Sequence, residues 1–133
     1  MLRFATEQDF EWIAAIQSRC GLPLWKPNPT SWVLEKKAFA IWQAADDECE
    51  LLSIAVEFTE RGKGLAKMLM EHCHKEFAEL GIKFFFLEVR ENNLAAISLY
   101  KKLRYEKITE RKRYYEDGET AVVMKLSVTN FQI

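Results

Sequence analysis

Cysteine, proline and glycine are all scarce in this 133-residue chain, and each scarcity removes a class of protein. The three cysteines, Cys20, Cys49 and Cys73, are odd in number and widely scattered. Neither a disulfide framework nor a zinc-ligand spacing follows from them; a reducing compartment fits, and a cytoplasmic location is expected. All three prolines fall between Pro23 and Pro29, which leaves the rest of the chain open to regular structure. A net charge of −1 withholds the basic excess that draws proteins to nucleic acid or anionic membrane, so neither partner is expected. No apolar run approaches the length of a membrane span, and Met1 to Glu7 carries no signal-peptide core. Repeats and low-complexity tracts are also missing. What is present is an ordinary globular composition, 49% hydrophobic and 29% charged. The length suits one domain, residues 1–133, with a single core, as a monomer or weak dimer.

Taken in order, Leu2 to Ala5 reads as a short strand, and Thr6 before Glu7, Gln8 and Asp9 reads as a helix cap with acid in its first turn. Phe10, Ile13, Ala14, Ile16 and Gln17 then carry a helical stripe toward Cys20, closed by Gly21. The proline segment from Leu22 to Thr30 cannot be a regular helix. It is either a stiff connection with Trp25 tucked into the core, or one whose Trp25 walls a binding site. Trp32–Leu34 and Ala38–Trp42 read as strands joined at Glu35-Lys36-Lys37, and Asp46-Asp47 turns the chain into a further strand ending at Val56.

After Gly64, the residues Leu65, Met68, Leu69, His72, Cys73, Phe77 and Leu80 recur at three and four, the period of an apolar helical face. Within it, His72-Cys73-His74 does not make a metal site, because consecutive helical residues point in different directions. Ile82 to Val89 is a nearly continuous apolar run, as expected of an interior strand covered on both faces. Asn92-Asn93 caps a helix running to about Leu103 that buries Ala96, Ile97, Tyr100 and Leu103. The chain then closes as a hairpin with arms Tyr105–Tyr115 and Ala121–Leu126 around Asp117-Gly118. Acids interspersed among Arg111, Lys112 and Arg113 favour a solvated strand face over RNA contact. The order β, α, loop, β, β, β, α, β, α, β, β is that of a mixed α/β sandwich.

Two places carry chemistry. Leu51 to Val56 is a strand, and Arg61-Gly62-Lys63-Gly64-Leu65-Ala66 leads straight into a helix. The first helical N–H groups have no partner within the helix, and the helix dipole adds positive charge there. With Arg61, Lys63 and Lys67 alongside, the turn is either plain architecture or an anion site. It is not a Walker A loop or a dinucleotide fingerprint. The second place is Glu88, which alternation sets on one strand face with Phe84 and Phe86. A carboxylate among Phe86, Leu87 and Val89 is costly unless paired or used. It is therefore either the partner of Arg90 or another cation, or a base whose proton affinity desolvation has raised.

Arg61 to Ala66 also fits the pattern Arg/Gln-x-x-Gly-x-Gly/Ala, and Phe86 to Tyr100 resembles the block that follows it in the GNAT N-acetyltransferases, most narrowly the RimI-type ribosomal-protein-alanine N-acetyltransferases. The resemblance covers roughly residues 50 to 126. It implies the GNAT form of the α/β class: a mixed, mostly antiparallel sheet, flanked by helices, whose central strands splay. It also implies acetyl-coenzyme A as cosubstrate, with Gly62 to Lys67 on its pyrophosphate, Asn93 in contact with it, and the main chain at Ile54, Ala55 and Val56 along its pantetheine arm. No metal is implied. By the same matching Glu88 is the base, Tyr100 the acid that protonates the departing thiolate, and Tyr114-Tyr115 an aromatic border of the acceptor, with Trp25 a further wall. In one respect the chain departs from the pattern: Leu103-Arg104-Tyr105 stands for the family's Leu-Gly-Phe.

The acceptor expected is a primary amine, with a protein N-terminus ahead of lysine. An α-amino group titrates near about 8 and lysine near about 10.4, so deprotonating lysine at pH 7 costs about 3.5 kcal/mol more. Acetylation of lysine or a small amine, and a coenzyme A sensor without turnover, are the alternatives.

Overall fold

The computed structural model describes residues 1–130. Seven strands form one sheet: β1 (Leu2–Phe4), β2 (Trp32–Leu34), β3 (Ala38–Ala45), β4 (Glu48–Val56), β5 (Phe84–Arg90), β6 (Glu106–Arg111) and β7 (Ala121–Ser127). Their spatial order is β1-β2-β3-β4-β5-β7-β6. Every neighbouring pair is antiparallel except β4 and β5, which run parallel. Three helices, α1 (Phe10–Arg19), α2 (Leu65–Glu79) and α3 (Leu94–Lys102), cover the two faces. The mixed α/β sandwich and its element order agree with the sequence pattern.

The larger core lies under α2 and α3, where Trp42, Phe85, Leu87, Met124 and Leu126 pack against Leu69, Met70, Cys73, Phe77 and Tyr100. Each large side chain buried there contributes about 1.5–3 kcal/mol. On the other face α1 sets Ile13 and Ile16 over Val33, Phe39 and Ile41. The entry to α1 is locked by Asp9, whose carboxylate takes the Thr6 N–H (2.8 Å), the Trp12 indole (2.9 Å) and the Arg3 guanidinium (2.8 and 2.9 Å). Those donors hold Asp9 well below the usual carboxylate range, the Arg3 hydrogen bonds foremost.

Four expectations need correction. The buried face of α2 is Leu69, Met70, Cys73, His74 and Phe77, whereas Met68 and Leu80 are exposed. His74 enters that face with its Nε2 hydrogen-bonded to the Tyr105 hydroxyl (2.8 Å), which satisfies a polar ring in the core. The strand β5 is fully covered on one face only: Phe85, Leu87 and Val89 are buried, while Phe84, Phe86 and Glu88 are half-buried. Trp25 is not tucked into the core but stands 43% exposed. The closing hairpin is shorter in its first arm, with β6 ending at Arg111, and Tyr114 and Tyr115 leave the ladder for Arg111 and Arg90.

The proline loop has a specific anchorage. Asn28 Nδ2 and Thr30 Oγ1 both donate to the Trp42 carbonyl (2.8 and 2.5 Å), at the point where the β3–β4 register shifts. Trp42 pairs with Leu51 but Ile41 with Ser53, so Leu52 is an extra residue, a β-bulge in β4.

Arg104 adopts φ +73°, the left-handed conformation that glycine takes without strain. The turn expected of Leu-Gly-Phe is thus kept with the wrong residue in it. Arg104→Gly should raise stability by about 0.5–1 kcal/mol, since relief of strain outweighs glycine's greater unfolded-state entropy. Urea denaturation of both proteins measures this; a destabilised variant would mean that the Arg104 side chain stabilises the turn. Burial pushes the His74 imidazole down to about 3. The unfolded chain therefore binds its proton first, and stability falls as pH drops below about 6.5. His74→Gln cannot titrate, so its stability should stay flatter than wild type between about pH 6.5 and 5 in chemical denaturation at each pH.

Candidate active site

The β4–β5 ladder is short: only Glu48–Phe84, Cys49–Phe85 and Glu50–Phe86 are paired. Beyond them β4 continues to Val56 against β3, and β5 continues to Arg90 against β7, so the two central strands part. The bulge at Leu52 lies where they separate, and an extra residue bends the strand that carries it. Glu57 N–H donates to the Lys37 carbonyl (2.7 Å), which fixes the parity of the end of β4. Ala55 therefore turns its main chain toward β3, while Ile54 and Val56 direct theirs into the gap. The Val56 carbonyl accepts from Arg61 Nε (3.2 Å).

At one end of the gap, Gly62 (φ +81°) and Gly64 (φ +76°) make the turn into α2, with Gly64 as its N-cap. A Cβ built on either glycine would meet nothing within 4 Å. Their backbone conformation, not crowding, is what demands glycine, and the space before them is open. The N–H groups of Leu65, Ala66 and Lys67 precede the first helical hydrogen bond, Met68 N–H to the Gly64 carbonyl (3.1 Å). Arg61 also lies over the Phe58 ring and reaches Cys20 Sγ (3.2 Å), and Lys63 pairs with Glu60 (3.1 Å). Asn93 caps α3, its Oδ1 accepting from the Ala96 N–H (3.2 Å).

The sheet separates the two groups expected to move protons. Tyr100 is buried on the α2–α3 side with Leu87 and Val89, and burial pushes its phenol up to about 12, so it stays protonated at neutral pH. Glu88 has the opposite parity and opens into a cavity of about 310 Å³ with Glu50, Phe86, Arg111 and Val123 among its walls. Arg111 Nε lies 2.8 Å from Glu88 Oε2 but off its N–H axis, an ion pair without an aligned hydrogen bond. Arg90, the partner offered by proximity in sequence, pairs instead with Asp117 (2.8 Å) and Glu119 (2.9 Å) and stacks on Tyr115.

Glu50 was not singled out by the sequence reading. It faces the same cavity from β4, and burial first, then Glu88, raises its proton affinity, against Arg111. The signal for it was a carboxylate between Cys49 and Leu51 in a strand. The Tyr115 phenol is also raised, by burial first and then by the charge of Glu88. Trp25 is not among the residues that line the cavity. No group of side chains among the described residues could hold a metal ion, and no helix among them is long and apolar enough to cross a membrane.

A parted parallel strand pair, with a glycine turn and open helix amides at one end, is the geometry of the site. Residues 4–105 match the Acetyltransferase (GNAT) family, and the chain belongs to it. It is 40% identical over 95 residues to a ribosomal protein bS18-alanine N-acetyltransferase of Salmonella typhimurium, a match covering 69% of this chain but only 64% of that one. The Haemophilus ducreyi protein of the same name is 34% identical over 143 residues, covering 95% of this chain and 99% of its own. The crystal structure of the Escherichia coli ribosomal-protein-S18-alanine N-acetyltransferase superposes with a TM-score of 0.87 at 29% identity, over 100% and 99% of the two chains.

Coenzyme A should stabilise the protein by mass action, and Gly64→Asp, which adds a side chain and a negative charge at the turn, should abolish the rise in melting temperature. A full shift in a folded Gly64→Asp protein would show that the turn does not hold the phosphates.

Proposed function

We propose that this chain transfers an acetyl group from acetyl-coenzyme A to the N-terminal α-amine of a protein. The observation that carries the reading is the parting of β4 and β5 between Glu88 on one face and Tyr100 on the other. The relatives' names, which specify an alanine N-terminus of a ribosomal protein, support the same acceptor.

Acetyl-coenzyme A supplies the acetyl carbonyl as a thioester. Gly62 to Lys67 present backbone N–H groups and positive charge to its pyrophosphate, and Asn93, whose Oδ1 caps α3, offers its Nδ2. Ile54 and Val56 offer main-chain groups to the pantetheine arm, and the Val56 N–H stands to take the negative charge that develops on the carbonyl oxygen. Ala55 contributes shape, since its own main chain faces β3. Glu88 accepts the proton of the attacking amine, directly or through water. Tyr100, kept protonated by burial, donates to the departing thiolate from the other face. Tyr114 and Tyr115, lying against Arg111 and Arg90, border the acceptor beyond Glu88, whereas Trp25 stands away from that cavity.

An alanine-started basic peptide should release coenzyme A thiol, and the same peptide with a blocked terminus, or a polyamine, should not. Glu88→Gln should cut that turnover on the order of 10²–10⁴-fold while the thermal shift with coenzyme A persists. An unchanged rate would make Glu88 structural, and equal turnover of the blocked peptide would move the acceptor to lysine.

A further inference from the structure

The cavity beside Glu88 is lined by three carboxylates from two strands, Glu48 and Glu50 on β4 and Glu88 on β5, and by one cation, Arg111. Arg111 belongs to neither central strand. It is the last residue of β6, the edge of the sheet, where its backbone is held in register with Ala121. Its side chain is 58% exposed, reaches inward to Glu88 Oε2 and lies over the Tyr114 ring at 5.4 Å. Glu88 Oε2 is itself shielded from solvent and accepts no aligned hydrogen bond. The oxygen that would take a proton from an amine is thus covered by a cation on a long, half-exposed stem.

We propose that Arg111 is a displaceable cap on Glu88, occupying the position that the acceptor's ammonium takes when it binds. The inference rests on the acetyltransferase reading above. Charge and strength both support it. Carboxylates gathered at one cavity favour a cation among them: burial first, then the charge of Glu88, raises the affinity of Glu50 for a proton, and Arg111 lowers it. An incoming α-ammonium replaces that cation one for one, so exchange leaves the net charge of the cavity unchanged. Arg111 is mostly exposed and its contact is off-axis, so the pair is of the weak surface kind and yields readily. The Tyr114 ring gives the released guanidinium a place to rest. The remaining charged groups near Glu88 do not compete for the role, since Arg90 is held by Asp117 and Glu119. A neutral acceptor, such as a blocked N-terminus, has no charge to exchange.

The test is steady-state acetylation of an alanine-started peptide by wild type, Arg111→Gln and Arg111→Lys, with coenzyme A thermal shifts confirming that each variant is folded. Removing the competitor in Arg111→Gln should lower KM for the peptide by up to about five-fold, the equivalent of an exposed ion pair, and leave kcat within two-fold, as roughly expected when only ground-state competition is lost. Arg111→Lys, which keeps the charge, should stay near wild type. Calorimetric titration of the peptide into coenzyme A-loaded protein should show the same tightening without turnover. An unchanged or raised KM, or a fall in kcat, in Arg111→Gln overturns the cap. If wild type acetylates no peptide N-terminus, the functional reading has failed instead, and the two failures are distinct.

Discussion

The three-residue length of the β4–β5 ladder is the constraint on which the rest of the site depends. Parallel strands in a sheet interior ordinarily stay paired, because each lost backbone hydrogen bond leaves polar groups that must find other partners. Here the extra residue Leu52 bends β4 just past the last pair, and β4 and β5 keep their outer partners, β3 and β7. The chain meets part of the polar demand locally: Asn28 and Thr30 satisfy the Trp42 carbonyl opposite the bulge, and Arg61 satisfies that of Val56. What faces the gap beyond these is the main chain of Ile54 and the Val56 N–H.

The parting also lets one sheet present different chemistry on its two faces. Tyr100 sits in an apolar core that holds its phenol protonated, while Glu88 sits one residue from Leu87 and Val89 in sequence but across the sheet. A donor and an acceptor of protons in one shared environment would tend toward similar proton affinities. Separated by the strand period, they are set by burial on one side and by Glu50 and Arg111 on the other.

Much of this was legible in the residues. The element order follows from hydrophobic period, and Gly62 and Gly64 mark the turn because only glycine adopts their backbone angles without strain. The alternation that put Glu88 opposite Leu87 survives intact. Other features were hidden for definite reasons. A bulge leaves no compositional trace, so the parity of Ala55 relative to Ile54 and Val56 required the Glu57–Lys37 hydrogen bond. His74 stood outside the apolar stripe read from the sequence, and its burial rests on a hydrogen bond with Tyr105, 31 residues away. Arg104 holds a glycine conformation that its side chain gives no hint of.

The sequence by itself determined the elements, their order, the glycine turn before α2 and the placing of Glu88 on a strand and Tyr100 on a helix, because those depend on local period, local backbone freedom and residue type. Only the tertiary structure decided which charges meet. Arg111 reaches Glu88 from a different strand, Glu50 faces it across the parted pair, and Arg90, the nearest cation in sequence, is claimed elsewhere. Electrostatic partnership depends on distance in space and on which face a strand register presents, and neither quantity is written in the order of residues along the chain.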